Sequence, residues 1–134
     1  VGAQSLRLAM RRGASLSRLV SVPLDRLQGQ RLVALPSSQD GADSSLISAL
    51  LRRQQISMQI VERVETVHAA LALVLAGEGY AIVPECAAVG APPGVVFRSL
   101  KNVEDQFEVA ACWRRDLKSP FTDHFVKATR AALR

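Results

Sequence analysis

Side chains of the types that do covalent or metal chemistry are few in this sequence, and they do not gather. Histidine occurs at His68 and His124, cysteine at Cys86 and Cys112. No His, Cys, Asp or Glu recurs at the short intervals of a closed metal site, so no metal is expected. Glu62 and Glu65 lie three apart on an expected strand and point to opposite faces, which rules them out as an acid-base pair. No residue is assigned a catalytic role, and no cofactor is expected. What the sequence offers instead is a seat for an anion. Thr66, Val67 and His68 open the segment Thr66–Glu85, TVHAALALVLAGEGYAIVPE. A helix starting there presents unpaired amides and partial positive charge, worth about 0.3–1 kcal/mol to an exposed anion. Ser37 and Ser38, in a turn after a short strand, add hydroxyls that hold a carboxylate without a full charge. Thr66 reads equally as a plain helix cap, and the two roles are compatible. Ser37 and Ser38 also read as ordinary turn residues.

The elements that position these groups are legible. Thr66 can accept a hydrogen bond from a first-turn amide. Apolar residues then cover almost every face up to Ala76, which predicts a helix wrapped by protein on most sides. Gly77 is placed to end it in the left-handed conformation, and Gly79 lets strand Tyr80–Val83 start close behind. Pro84 belongs at that strand's exit. A helix feeding tightly into a buried strand is the pattern of an open α/β sheet, which binds small molecules beyond its strand ends.

Elsewhere, Ser5–Arg11 alternates polar and apolar residues, the mark of a half-buried strand with Leu6, Leu8 and Met10 inward. Gly13 and Ser15–Ser21 read as connection, and Val22–Leu27 leads to Gly29. Arg31–Leu35 is a strand stopped by Pro36, and 37–43 a polar loop. Asp43 or Ser44 caps a helix over Ser45–Gln55 with Leu46, Ile47, Leu50 and Leu51 as its apolar stripe. Met58–Glu65 is a strand with Met58, Ile60 and Val64 on one side. Glu85–Val89 forms one further turn. Gly94–Leu100 and Phe107–Trp113 are strands, and Ser119 caps a last helix with Pro120 at its first position. Phe121, Phe125, Ala128 and Ala132 lie near one face of it.

A chain of 134 residues, 49% hydrophobic, fits one modest domain with a real core. Its longest apolar run is far short of the roughly 20 residues that cross a bilayer, so no membrane partner is expected. No secretory signal opens the chain, and two cysteines make no disulfide framework, which fits a reducing cytoplasm. The formal charge of +5 is unevenly placed. Arg7, Arg11, Arg12, Arg18, Arg26 and Arg31 face only Asp25 in the first 31 residues, whereas the remaining 103 are balanced. Clustered arginine attracts phosphate, but no aromatic residue interleaves with it and no helix-turn-helix pattern is present. A solvated face or loosely ordered arm is the expectation.

The Thr66–Glu85 segment, followed by Gly94–Leu100 and then EVAACWRRDLKSPFTDHFVKATRAAL, resembles the effector-binding domain of LysR-type transcriptional regulators. The shared features are the aliphatic helix ending in Gly-x-Gly, the strand closed by proline, the next strand, and Trp-Arg-Arg before a Ser-Pro-capped helix. The likeness runs from about Val22 to Arg134. It implies an α/β, type 2 periplasmic-binding-protein-like fold of two lobes. Residues 1–29 would hold a partial first-lobe strand and linker, and 30–94 the second α/β lobe. Residues 95–134 would be the crossover strand, a strand and the C-terminal helix returning to an incomplete first lobe. It also implies a small effector bound between lobes at Ser37, Ser38, Thr66, Val67 and His68, an organic acid by the anion argument above. A homodimer or homotetramer, and DNA contact only through a winged helix-turn-helix outside this chain, complete the expectation. The alternative is an extracytoplasmic solute-binding protein of the same fold. An enzyme on that fold would need an acid-base or nucleophile set at the cleft, and none is present.

Overall fold

Ten residues, Gly2–Arg11, form strand β1, and the rest of the larger sheet is laid against it. The structure, a computed structural model, describes residues 2–35, 46–109, 114–116 and 119–132. The expected turn Pro36-Ser37-Ser38, the cap at Asp43 or Ser44, and Cys112 and Trp113 lie outside the described residues. The other strands are β2 (Ser21–Val22), β3 (Arg31–Ala34), β4 (Gln59–Arg63), β5 (Ala81–Pro84), β6 (Val95–Leu100) and β7 (Gln106–Val109). Helices are α1 (Leu46–Arg53), α2 (Val67–Leu75) and α3 (Pro120–Ala132), with short 3-10 turns at Ser15–Arg18, Leu24–Leu27 and Glu85–Ala88.

The C-terminal half of β1 lies antiparallel between β5 and β6, with Leu8 opposite both Ile82 and Arg98. Its N-terminal end pairs with β7, and β2 runs parallel to β6. A second, parallel ladder joins β3 to β4. Tyr80 links the two ladders. It exchanges backbone bonds with β3 (Val33 amide to Tyr80 carbonyl, Tyr80 amide to Arg31 carbonyl, both 2.8 Å) just before its strand turns to β1.

Alternation along these strands creates two cores. Leu6, Leu8, Met10, Leu32 and Ile82 pack on one face with Leu50 and Leu51 of α1. Ala9, Val33, Ala81 and Val83 pack on the other with Ala70, Leu71 and Val74 of α2. β1 was expected to be half-buried, but Ala9 is as buried as Leu8 and Met10. The reason is topological: a strand paired on both edges and covered on both faces hides both sets of side chains. The basic segment is therefore no loose arm; it contains the sheet's central strand.

Two further expectations change. Val64 packs with the α2-side core, whereas Met58 contacts the other core and Ile60 is 45% exposed. A register shift opposite Leu32/Val33 leaves Val61 as an extra residue, and such a bulge resets which face each later side chain meets. In α2, only Ala70, Leu71 and Val74 are buried; Ala72 is exposed, as is Ala76 just after the helix, and Leu75 is 36% accessible. The uniformly apolar sequence thus serves one packed face and a second face that the other described residues do not cover.

The α2–β5 joint matches its sequence. Gly77 has φ 86°, and the amides of Gly77 and Glu78 bond to the carbonyls of Val74 and Leu73, the paired bonds of a Schellman end. Gly79 has no room for a side chain: a Cβ there would sit 2.8 Å from the Arg31 carbonyl oxygen. Ser119 caps α3 as expected, accepting from the Phe121 amide at 3.2 Å. Thr122, Val126 and Thr129 of α3 are half-buried, while Phe121 and Phe125 are 83% and 64% exposed.

Candidate functional site

α1 and the β3–β4 ladder do not close completely on each other. A hollow of about 340 Å³ remains between them, within the range typical of small-molecule sites. Its walls are mainly aliphatic: Leu32 and Leu35 from β3 and its exit, Ile47 and Leu51 from α1, Ile60 from β4, with Phe107 of β7 reaching in. The polar lining includes Ser48 and Arg52 of α1, Ser57, and Arg63, the last residue of β4. Such a chamber suits a small ligand with an apolar body and one anionic group. Arg53, at the end of α1, pairs with Asp105 at 2.7 Å, tying this wall to the loop that delivers Phe107.

The chain leaves the hollow at Leu35, the last described residue before Pro36, and leaves Arg63 to reach Thr66 three residues later. Thr66 is the N-cap of α2. Its backbone is extended, and its Oγ1 accepts the Ala69 amide at 3.1 Å. The amides of Val67 and His68 have no intrahelical partner by helix geometry. Thr66 and His68 are exposed, and Val67 is half-buried against the α2-side core. None of these three lines the hollow, which sits on the α1 face of the ladder. Ser37 and Ser38 lie outside the described residues. Sequence reasoning thus found the helix start but missed the chamber walls. The available signals were Arg63 at a strand's carboxyl end and Phe107 in an alternating strand. Among the described residues there is no metal-ligating cluster, and Cys86 is a free, exposed thiol. No helix among them is long and apolar enough to cross a membrane.

The family model for the LysR substrate binding domain matches residues 1–134. The HTH-type transcriptional regulator TdfR of Cupriavidus pinatubonensis is 29% identical over 126 residues, covering 92% of this chain and 43% of the relative. The chain thus spans less than half the length of that regulator. Among solved structures, full-length CbnR complexed with its target DNA matches with a TM-score of 0.74 at 24% identity, covering 100% of this chain and 47% of that one. The BenM effector binding domain with its effector benzoate matches with a TM-score of 0.66 at 21% identity, covering 77% and 47%. These likenesses establish the fold expected from the sequence, the periplasmic-binding-protein-like type 2 fold of LysR effector-binding domains. The chain belongs to the LysR substrate-binding-domain family.

Proposed function

We propose that this chain is the sensing part of a transcription regulator, binding a small carboxylate-bearing effector at the carboxyl ends of β3 and β4, between the hollow under α1 and the start of α2. The observation that carries the reading is the chamber itself, mainly aliphatic and lined by Arg63 four and five residues before the open amides of Val67 and His68. Benzoate, the effector named for BenM, has this pairing of apolar body and carboxylate. Thr66, Val67 and His68, with Ser37 and Ser38, would hold the anionic end. In this reading the protein binds its ligand and releases it unchanged; among the described residues no acid-base or nucleophilic set lines the chamber. We further assign residues 30–94 to the second lobe and 95–134 to the segment returning to the first, with the partial strand and linker in 1–29. The outward-facing Phe121 and Phe125 of α3 fit a helix whose partner surface belongs to the other lobe.

Effector binding would then shift one lobe against the other and alter how protomers pack, coupling the ligand site to a DNA-binding domain elsewhere in the whole protein. A homodimer or homotetramer in the cytoplasm is the natural setting. The stripe of α1 is turned into the core, whereas Ala72 and Leu75 of α2, and Ala76 just after it, lie open, which favours α2 as the packing surface. In a protein carrying both lobes and the DNA-binding domain, Thr66→Ala and His68→Ala are expected to weaken the response to effector about tenfold while operator binding without effector stays unchanged. A reporter assay across effector concentrations, with gel-shift titration beside it, reads both. An unaltered response in both variants removes these residues from the site.

A further inference from the structure

The amino-terminal end of β3 is bounded by a groove of different chemistry. Arg11 and Arg12 at the end of β1, Gln30 and Arg31 at the start of β3, and Gly77 and Tyr80 line an open hollow of about 460 Å³. It shares no lining residue with the chamber under α1. Consecutive strand residues normally point to opposite faces, yet Arg11 and Arg12 both line this groove. β1 ends at Arg11, and the chain turns through Gly13 at φ 87°. The Arg12 amide donates to the Gly94 carbonyl at 2.7 Å, and the Ala14 amide to the Arg11 carbonyl at 3.0 Å. Gly77 leaves the space Arg11 occupies, since a Cβ there would lie 3.1 Å from Nη1 of Arg11.

The arginines are not consumed by local structure. The last carbonyls of α2 already accept from Gly77 and Glu78, so they need no cationic cap. Arg31 meets Glu78 at 3.4 Å with both side chains about half exposed, a pairing worth little in water. Among the described residues no carboxylate pairs with Arg11 or Arg12. Three guanidinium groups therefore share one acid. Guanidinium forks match the oxygens of phosphate with two parallel hydrogen bonds each.

We infer that this groove is a second anion site, separate from the effector chamber, that binds the phosphoryl group of a small phosphorylated ligand or free phosphate. Pyrophosphate titrated into the protein by calorimetry at low salt is expected to fill one saturable site. Arg12→Gln and Arg11→Gln should each weaken it about tenfold, whereas Arg26→Gln, exposed and outside the groove, should leave it unchanged. The melting temperature of each variant is measured beside the titration; a groove variant that melts with the wild type and has lost affinity supports the site. Competition separates the two sources: displacement by a sugar phosphate at lower concentration than by orthophosphate assigns an organic ligand, and the reverse assigns the free ion. Equal weakening by all three substitutions, the absence of saturable heat, or tighter binding to duplex DNA than to pyrophosphate at matched phosphate concentration overturns the inference.

Discussion

Leu8→Ala is expected to lower the unfolding free energy by about 2–5 kcal/mol, the usual cost of truncating a fully buried leucine. Leu8 is fully inaccessible and sits at the centre of β1, flanked on one edge by β5 and on the other by β6. Its side chain lies in the core cluster shared with Leu32, Leu50, Leu51 and Ile82, so the void would open where the two ladders and α1 meet. A domain of this size is commonly stable by only about 5–15 kcal/mol, and such a loss takes a large share of it. Urea unfolding monitored by circular dichroism gives the difference. A loss under about 0.5 kcal/mol, the range of ordinary surface changes, would mean that β1 is not the central strand. The same substitution tests whether the arginine-rich start of the chain is structural or peripheral.

That question shows where the sequence was readable and where it was not. The turn Gly77–Gly79 and the cap at Thr66 are local devices, settled by residues adjacent in the chain, and they stand as the sequence implies. Strand burial is a long-range property. Nothing between Gly2 and Arg11 reveals that β5 and β6, some seventy residues on, will cover both edges. The bulge that turns Val64 to the α2 side depends on how β4 meets β3, which periodicity along β4 alone does not contain. The exposed side of α2 has a related cause. Alanine and leucine look the same whether they meet their own domain, another lobe or another protomer, so hydrophobicity predicts burial without naming what does the burying. The binding region divides in the same way. The start of α2 was legible because a cap and open amides follow from local geometry, whereas the chamber is made by Ile47, Ile60 and Phe107 from three separate elements.

Arg63→Glu is expected to weaken carboxylate binding about thirtyfold or more, roughly 2 kcal/mol, because a charge-assisted hydrogen bond is lost and a repulsive carboxylate replaces it. Arg63 ends β4, lines the chamber and is exposed, so the fold should tolerate the change. Its position, at the strand's carboxyl end and three residues before Thr66, makes it the cation best placed to share a ligand with the α2 amides. Arg26→Glu carries the same change in net charge at a site outside the chamber and should leave binding unaltered. The measurement is a thermal-shift titration of small aromatic and alicyclic acids, starting with benzoate, on a protein carrying both lobes. A ligand at a hundred times its Kd stabilises by about 2.7 kcal/mol, which raises Tm by roughly 10 °C for a domain of this size. That rise should fall to about a third or less in Arg63→Glu at the same ligand concentration, because thirtyfold weaker binding leaves the ligand at only about three times its Kd. A rise of equal size in Arg63→Glu and wild type would place the anion elsewhere, the Arg11–Arg12 groove being the first place to look.

The most direct test is to watch the backbone amides while a carboxylate is added. In a two-dimensional NMR titration of the isotopically labelled two-lobed protein with the acid that shifts Tm most, saturable changes should cluster at Leu32–Leu35, Ile47–Arg52, Ile60–Arg63 and the amides of Val67 and His68. Saturable changes that bypass all of these, or none with any acid of the panel, would contradict a carboxylate sensor in the cleft of β3, β4 and the α2 start.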